Sequence, residues 1–297
     1  MDEVVVVPDG LVRAQERYNG AAGREFVAAL PARAAQFLQR WRLRRTGPAL
    51  HGVTALVLPV LRADGTPAAL KLLLPDDESA GEPAALRAWA GQGCVRLLEH
   101  DPETGTMLLE RLDHERHLSA LAATDPRAAV AVVAGLLARL TAVPAPPGVR
   151  RLEDEARALL DRVPAAAGRL ADPHERALLR AWAAATAEVA GEAGDRLLHW
   201  DLHVDNVLAA DREPWLAIDP KPLAGDPGFD LLPALRHPFD PADLRWRFDL
   251  MTEVLGLDRR RARAWTLARV LQNAVWDAED GQRRLDPELR ELARRLP

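Results

Sequence analysis

The sequence predicts an α+β chain with two lobes: a small N-terminal lobe built on an antiparallel sheet, and a larger helical C-terminal lobe. Three observations lead to this prediction. Short Val- and Leu-rich runs separated by turn signals follow residue 41, a pattern typical of strands. Ala- and Leu-rich segments of helical length fill most of the chain after residue 112. A polar segment rich in His and Asp interrupts those helices at residues 199–206.

The N-terminal lobe is predicted to span residues 1–112. Residues 9–40 are expected to form a helical extension anchored by apolar side chains, namely Phe26, Leu30, Phe37 and Leu38. The strand-rich part covers residues 41–112, and the turn signal at residues 62–66 predicts a hairpin. A helix is expected over residues 84–89, introduced by Glu82-Pro83 because Pro suits a first helical turn. Two further strands are predicted near residues 95–99 and 106–110.

The C-terminal lobe is predicted to span residues 113–297 and to carry the substrate site. Helices are expected near 128–143, 151–163 and 173–190, and again towards the C-terminus. The interruption at residues 197–219 contains the polar segment, and short strands are expected after that segment, near 207–208 and 215–218.

Bulk composition narrows the class of protein. A 297-residue chain with 48% hydrophobic and 28% charged residues is expected to fold with a sizeable core. Its net charge of −5 does not favour nucleic acid, which would need a basic face, and weakly suits a cationic substrate. A single cysteine, Cys94, excludes an intrachain disulfide. Met1-Asp2-Glu3-Val4 lacks a basic leader, and no apolar run has the length of a membrane span. We therefore expect a cytoplasmic monomer or weak dimer.

The most informative segment reads HWDLHVDN, from His199 to Asn206. It places Asp201 five residues before Asn206, with a further carboxylate at Asp219, which is the order and spacing of a kinase catalytic loop. Phosphoryl transfer needs a carboxylate to orient the attacking hydroxyl, and oxygen ligands that hold Mg²⁺. The segment therefore predicts Asp201 as the catalytic residue, Asn206 and Asp219 as metal ligands, and a protein-kinase-like bilobal fold.

Neighbouring polar residues allow an alternative from another class. His199, Asp201, His203 and Asp205 alternate and could line one face of a strand as ligands of a metal-dependent hydrolase. Zinc sites usually need further His or Cys ligands, and the other histidines are scattered along the chain. We expect His199 to hold the loop by bonding backbone, and Asp226 and Asp230 to cap the next helix and brace the loop.

Lysine is rare in this chain. Lys and Arg total 39, and only Lys71 and Lys221 are lysines. A lysine that persists among so many arginines is expected to need a compact ammonium. Lys71 lies in an apolar run that reads as a strand, where a cation is costly unless it meets an anion such as an ATP phosphate. Glu82 is predicted to pair with it, with Glu78 as the competing partner.

Other nucleotide contacts are predicted from position. The loop that covers the phosphates should lie near residues 47–56, where backbone amides around Gly52 could approach them. Adenine should dock on the backbone between Glu110 and Leu112, because backbone polar groups in a crevice can fix a flat base.

Longer stretches carry a family resemblance over nearly the whole chain. They include LVLPVLRADGTPAALKL (56–72), MLLERLD (107–113), HWDLHVDNVLAADREPWLAIDPKPLAGDPGFDLLPAL (199–235) and WTLARVLQNAVWDAEDG (265–281). The sequence resembles the aminoglycoside phosphotransferase family, within it the streptomycin 6-phosphotransferase branch that includes hydroxyurea phosphotransferases. The resemblance implies ATP as donor, Mg²⁺ as cofactor, a streptomycin hydroxyl as acceptor, and the same roles for Asp201, Asn206, Asp219 and Lys71.

The chain departs from the protein-kinase pattern in two places. Asp219 is followed by Pro220-Lys221, so an activation switch of the protein-kinase type is not expected, and the GxGxxG loop is absent. A guanidinium-bearing acceptor is predicted to meet Asp277 and Asp280, which are spaced i, i+3, and the ring of Trp276. Two alternatives stay open: a kinase of another small hydroxylated molecule, such as hydroxyurea or a metabolite, and a nucleotide-binding pseudoenzyme.

Overall fold

The computed structural model describes residues 5–296. Residues 1–4, on which the expected absence of a leader rests, lie outside the described residues, as does residue 297. The chain divides into two compact units, one formed by Met1–Gly91 with Val95–Leu112 and the other by Gln92–Cys94 with Asp113–Pro297. The assignment of nucleotide binding to residues 1–112 and of substrate binding to residues 113–297 stays a prediction.

The first unit contains two helices and six strands. In chain order they are α1 (Asp9–Arg40), β1 (Arg44–Arg45), β2 (Leu50–His51), β3 (Ala55–Leu61), β4 (Pro67–Leu73), α2 (Glu82–Trp89), β5 (Leu97–His100) and β6 (Met107–Glu110).

All six strands form one antiparallel sheet in the order β1-β3-β4-β6-β5, with β2 also paired to β3. The predicted hairpin between β3 and β4 is confirmed: the Arg62 N–H donates to the Thr66 carbonyl at 2.9 Å, and Gly65 adopts φ 84°. Only glycine reaches that conformation without strain. The register places Val57 opposite Lys71 in the middle of the hairpin.

Helix α1 packs its apolar side on this sheet. Leu30 and Phe37 are fully buried and Phe26 nearly so, in a core shared with Leu58 and Leu70. The predicted anchors are thus confirmed, except that Leu38 is only partly buried.

A backbone break interrupts α1 at Gly20, which adopts φ 54° and ψ −122°. Beyond the break, Gly23 approaches the Gln15 carbonyl so closely that a β-carbon at Gly23 would lie 2.2 Å from its oxygen. The fold therefore requires glycine at position 23.

The second unit is mostly helical and carries five short strands. Its elements are β7 (Asp113–His117), α3 (Leu118–Thr124), α4 (Pro126–Leu140), α5 (Leu152–Arg169), α6 (Pro173–Val189), β8 (Arg196–Leu198), β9 (Val207–Ala209), β10 (Leu216–Ala217), β11 (Leu223–Gly225), α7 (Leu232–Arg236), α8 (Leu244–Leu255), α9 (Arg259–Glu279) and α10 (Pro287–Arg295). No helix within residues 5–296 combines the length and the apolar composition needed to cross a bilayer.

Two small sheets frame the polar segment that follows β8. One pairs β8 with β11, and the other has the order β10-β9-β7, all antiparallel. The sequence did not predict β7, β8 or β11, because each has at most five residues and all five residues of β7 are polar.

The end predicted for the second long helix of this unit, at residue 163, was wrong. Helix α5 continues through Pro164 to Arg169. Proline removes one helical hydrogen bond, but the buried face persists on both sides of it, at Leu159, Val163 and Ala167. Burial of that face outweighs the local loss.

Candidate active site

The polar segment begins where β8 ends, and the Asp230 side chain is hydrogen-bonded to its first two residues. The Asp230 carboxylate accepts the His199 N–H at 2.8 Å and the Trp200 N–H at 2.6 Å. Trp200 adopts φ 66°, an unfavourable backbone conformation for a residue with a large side chain, and these two bonds stabilise it. Complete burial raises the pKa of Asp230 to about 6, so the carboxylate is ionised at neutral pH. Asp230 therefore braces the loop, as predicted.

His199 is fully buried, and its ring bonds backbone on both sides. Its Nε2 donates to the Ile218 carbonyl at 3.0 Å, and its Nδ1 accepts the Asp201 N–H at 3.4 Å. Burial lowers the pKa of His199 to about 4, so the imidazole is neutral. This pattern bears out the predicted scaffold role, and it leaves neither ring nitrogen directed at a metal.

The backbone of Asp201 is fixed at both of its polar groups. His199 accepts its N–H, and its carbonyl oxygen accepts the Asn206 amide Nδ2 at 2.9 Å. The Asp201 side chain is 28% exposed, and the Lys221 ammonium lies 3.4 Å from its Oδ2. A partly exposed carboxylate on a fixed backbone is able to orient a hydroxyl of an incoming molecule.

Asn206 and Asp219 lie on adjacent strand ends. The Ile218 N–H donates to the Asn206 carbonyl at 2.9 Å, which extends the pairing of β10 with β9 and places Asp219 next to Asn206. The Asn206 amide nitrogen donates to the Asp201 carbonyl, and the amide oxygen therefore faces away from that hydrogen bond. Asp219 is exposed and adopts φ 59°, a left-handed backbone conformation that carries some strain in a residue other than glycine. An amide oxygen beside a carboxylate suits a hard divalent cation.

The metal-hydrolase alternative requires several His, Cys, Asp or Glu side chains around one point. No group of three or more such side chains is placed to hold a metal ion anywhere in residues 5–296. A metal held by Asn206 and Asp219 together with ligand oxygens does not require such a group.

In the first unit, Lys71 and Glu82 form a buried ion pair. Lys71 Nζ lies 2.8 Å from both Glu82 oxygens, and the two side chains are 7% and 2% exposed. Lys71 extends from β4, and Glu82 is the first residue of α2. The pairing of Lys71 with Glu82 that the sequence predicted is therefore present in the structure.

The remaining predicted nucleotide contacts lie at the edges of the same unit. Gly52 lies in the exposed turn between β2 and β3, where its N–H donates to the Ala55 carbonyl at 3.0 Å. A buried Gln15 braces that turn by donating from Nε2 to the Thr54 carbonyl at 2.7 Å. The Glu110 N–H donates to the Arg96 carbonyl at 2.9 Å. Any adenine contact in this stretch must therefore use other backbone groups of Glu110–Leu112.

The predicted acceptor-binding residues lie at the end of α9. Burial, followed by the Asp286 and Asp280 charges, raises the pKa of Asp277 above its usual range, against the effect of Arg236. The charge of Asp280 thus acts on Asp277, and the binding of an acceptor by these two residues stays a prediction.

The ring of Trp276 makes contacts within the chain. It lies 6.4 Å from the Trp200 ring, and the buried Arg269 guanidinium lies 5.5 Å from its centroid. The cation over this ring is therefore one of the chain's own, and binding of an acceptor cation there stays a prediction.

Sequence reasoning assigned no role to Lys221. The argument from lysine rarity applies to Lys221 as well as to Lys71, so a signal for it was present in the sequence. Its contact with Asp201 depends on how β11 returns beside β8, and the sequence did not predict either strand.

Comparisons with known proteins place the chain in a family. Residues 40–281 match the family described as aminoglycoside/hydroxyurea antibiotic resistance kinase. The chain belongs to this family. It is 70% identical to a hydroxyurea phosphotransferase of Kitasatospora aureofaciens over 94% of this chain and 82% of the relative. It is 55% identical to a streptomycin 6-kinase of Streptomyces glaucescens over 99% of this chain and 98% of the relative.

The fold agrees with this family. A choline/ethanolamine kinase family protein from Mesorhizobium loti superposes with a TM-score of 0.60 at 18% identity, covering 84% of this chain and 85% of that one. At such low identity the likeness shows the fold alone, and the predicted protein-kinase-like fold is confirmed. Membership of the family makes the chain a phosphotransferase that uses ATP and acts on a hydroxyl group.

Proposed function

We propose that this chain transfers the γ-phosphoryl group of ATP to a hydroxyl of streptomycin and thereby confers resistance to the antibiotic. The observation that carries this proposal is the fixed backbone of Asp201, whose carboxylate remains accessible beside Asn206 and Asp219. Full-length similarity to streptomycin 6-kinase supports streptomycin as the acceptor. The residue roles that follow are part of the same proposal.

Asp201 is the catalytic residue. Its carboxylate accepts a hydrogen bond from the acceptor hydroxyl and aligns the oxygen with the phosphorus atom, and the proton passes to it as the new O–P bond forms. Positioning of this kind can supply much of the rate enhancement, provided that the carboxylate keeps one position. The bonds from His199 and Asn206 to the Asp201 backbone provide that restriction.

Asn206 and Asp219 are the proposed ligands of Mg²⁺. The Asn206 oxygen and the exposed Asp219 carboxylate are hard ligands of the type that this cation prefers. When bound, Mg²⁺ would neutralise negative charge on the nucleotide phosphates. Asp219 supplies the full negative charge of the pair from an exposed position.

Lys71 is proposed to bind phosphate oxygens of ATP, and Glu82 to hold its ammonium in place. A buried lysine that already has a bidentate carboxylate partner is restricted to one rotamer. The exposed turn containing Gly52 is proposed to cover the phosphates with its backbone amides, and the backbone of residues 110–112 to contact adenine. ATP as the donor favours a cytoplasmic location, which cell fractionation can test.

Streptomycin carries guanidinium groups, and Asp277 and Asp280 are the proposed partners for one of them, with Trp276 beside it. Carboxylates pair with guanidinium groups through two parallel hydrogen bonds. Burial, and after it the charges of Asp286 and Asp280, raise the pKa of Asp277, and a bound cation would offset the repulsion between these carboxylates.

Hydroxyurea is the second candidate acceptor, because the relative with 70% identity is a hydroxyurea phosphotransferase. Hydroxyurea is small and neutral, so it needs the Asp201 chemistry but no acidic patch. The two acceptors therefore make different demands on Asp277 and Asp280.

The deciding experiment measures Mg²⁺-dependent ADP release by the purified chain with streptomycin, dihydrostreptomycin, kanamycin, spectinomycin or hydroxyurea. Product mass and phosphorus NMR identify the phosphorylated oxygen, and Asp201→Asn run in parallel corrects for contaminating ATPases. Release with streptomycin and dihydrostreptomycin alone supports the proposal. Release with hydroxyurea alone replaces the acceptor, and ATP binding without release for any compound contradicts both candidates.

A further inference from the structure

We propose that Lys221 is a further catalytic residue, whose ammonium binds the phosphoryl group during its transfer from ATP. The inference rests on the proposed role of Asp201. It begins from the rarity of lysine: the chain has only two, and both lie within ion-pair distance of a carboxylate named in the proposed function.

The backbone around Lys221 is built to hold it beside Asp201. Strand β11 pairs with β8 so that Leu223 lies opposite Leu198. The Lys221 N–H extends this pairing by donating to the His199 carbonyl at 3.0 Å. This bond departs by one residue from the register of β8 and β11, and it sets Lys221 across from His199, two residues before Asp201.

Two prolines flank Lys221 and restrict its backbone further. Pro220 and Pro222 are both buried. A residue that precedes proline is confined to extended conformations, so Pro222 limits the backbone of Lys221. The hydrogen bond to the His199 carbonyl and this restriction together fix the backbone from which the Lys221 side chain extends. The side chain itself is 40% exposed. Its position is therefore set by backbone rather than by side-chain burial.

The position of Lys221 beside Asp201 also places it close to where the phosphoryl group must be during transfer. A hydroxyl aligned by Asp201 lies about 2.6–3.2 Å from a carboxylate oxygen, and the phosphorus must approach that hydroxyl oxygen to about 3–3.5 Å. The Lys221 Nζ is 3.4 Å from Asp201 Oδ2. An ammonium has three N–H donors, so it can contact Asp201 and an oxygen of the phosphoryl group at the same time.

The chemistry of transfer favours a cation at this point. Negative charge is spread over the three equatorial oxygens of the phosphoryl group as the bond to ADP breaks and the bond to the acceptor oxygen forms. Lys221 keeps its protons throughout, and the proton of the acceptor hydroxyl goes to Asp201. A compact ammonium fits a short approach beside the carboxylate, where a planar guanidinium would spread over both groups.

The first readout does not depend on the acceptor. Affinities of the wild type and Lys221→Met for Mg²⁺-ADP and for the Mg²⁺ complex of β,γ-imido-ATP are measured by titration calorimetry. Loss of one charge-assisted contact to the terminal phosphate is expected to weaken binding of the ATP analogue about tenfold. Binding of ADP, which lacks that phosphate, should stay within about twofold. Arg260→Met removes the same charge from a side chain that is 91% exposed, and serves as the control.

The second readout is turnover. Lys221→Met is expected to lower kcat about 100-fold, the effect of removing one preorganised donor to a developing anion, with little change in the KM for the acceptor. Lys221→Gln keeps a polar stem without the charge and carries the test if the Met variant does not fold, as judged by circular dichroism and the thermal midpoint.

The outcomes separate this inference from the proposed function. If the affinities for ADP and the ATP analogue change equally, or neither changes, Lys221 does not meet the transferred phosphate and the inference is wrong, even if kcat falls. If the selective loss appears but the wild type phosphorylates neither streptomycin nor hydroxyurea, the acceptor assignment fails and Lys221 retains its role. A chain that binds neither nucleotide overturns both.

Discussion

The His199 imidazole Nε2 lies 3.0 Å from the carbonyl oxygen of Ile218 and donates to it. On its other side the ring accepts the N–H of Asp201. One buried side chain therefore joins the loop that carries Asp201 to the residue immediately before Asp219. The proposed catalytic residue and one proposed metal ligand are connected through a single neutral ring, so protonation of that ring should disturb both.

The neutrality of His199 predicts a specific pH dependence of stability. Its pKa falls from 6.5 in the unfolded chain to about 4 in the folded chain, because burial disfavours the charged form. A base with a lowered folded pKa stabilises the fold fully above pH 6.5, and this contribution is lost as the pH falls towards 4. The loss should reach about 3 kcal/mol at pH 4. His199→Gln should lack this part of the pH dependence, which urea unfolding between pH 4 and 7.5 measures.

The comparison between the wild type and His199→Gln isolates the contribution of His199 to the pH dependence of stability. Asp230 has a raised pKa, so its contribution falls as the pH rises from 3.8 through about 6, opposite to that of His199. Because Asp230 is present in both chains, its effect cancels in the difference. Parallel pH curves for the wild type and His199→Gln would show that the ring is not a buried neutral bridge.

Substitution of Asp201 should separate chemistry from binding. Asp201→Asn is expected to lower kcat at least about 100-fold, because a positioned proton acceptor contributes this much or more. The affinity for ATP should stay within about twofold of wild type. The side chain is partly exposed, and its backbone contacts do not involve the carboxylate, so the thermal midpoint should change little. Steady-state kinetics and nucleotide titration check these expectations.

Asp205 provides the matched control for Asp201. It lies in the same loop, is exposed, and has its Oδ2 3.6 Å from the Nδ1 of His203. Asp205→Asn should keep most of the turnover. Near-normal kcat in Asp201→Asn would remove Asp201 from its proposed role, and equal losses in both variants would indicate a general effect of loop charge.

The Lys71–Glu82 pair should respond differently to single and double substitution. Glu82→Ala removes the carboxylate that both Lys71 contacts reach from a buried cation, and it is expected to lower the free energy of unfolding by about 3–5 kcal/mol. Lys71→Met combined with Glu82→Leu replaces both charges by apolar groups and should recover most of that stability. If Lys71 binds phosphate, the double variant should remain inactive although it is stable. Urea unfolding measures the stability, and turnover assays with titration calorimetry of ATP measure the loss of activity and of nucleotide binding.

A stable double variant with normal affinity for ATP would show that the pair is only structural. A double variant as unstable as Glu82→Ala would show instead that the pocket cannot accept apolar side chains. Arg24→Ala serves as a control, because its partner Glu16 and Arg24 itself are each 61% exposed, and a surface pair contributes at most about 1 kcal/mol.

The sequence predicted those parts of the fold and site that depend on local pattern. The β3–β4 hairpin follows from two apolar runs on either side of a Gly turn, and the catalytic-loop spacing lies within 199–206. Glu82 opens a helix after a short loop, which made it a natural partner for Lys71 on the adjacent strand. In each case the residues involved are close in sequence or belong to one turn.

The parts that the sequence did not predict depend on contacts between distant segments. Lys221 reaches Asp201 only because β11 pairs with β8, and each of these strands has three residues. Gln15 reaches the turn at Thr54 because α1 breaks at Gly20 and packs on the sheet. Short strands have weak patterns of their own, and their pairing is decided by the packing of the whole unit.

The acidic end of α9 allows the two candidate acceptors to be told apart. Asp277→Asn combined with Asp280→Asn is expected to raise the KM for streptomycin about tenfold or more, since paired carboxylates and guanidinium groups form strong charge-assisted bonds. The KM for ATP should not change. Hydroxyurea is neutral, so its KM should also be unaffected if it is an acceptor. The pair Asp154→Asn with Asp161→Asn removes the same charge from α5, where both residues are exposed, and controls for net charge.

The raised pKa of Asp277 adds a pH signature to this prediction. Burial and the neighbouring carboxylates make Asp277 take up a proton at a higher pH than an ordinary aspartate does. The KM for streptomycin should therefore rise as the pH falls towards the acid range, and this rise should be absent from Asp277→Asn. If neither substitution nor pH alters the KM for streptomycin, the guanidinium groups bind elsewhere and α9 has no part in acceptor recognition.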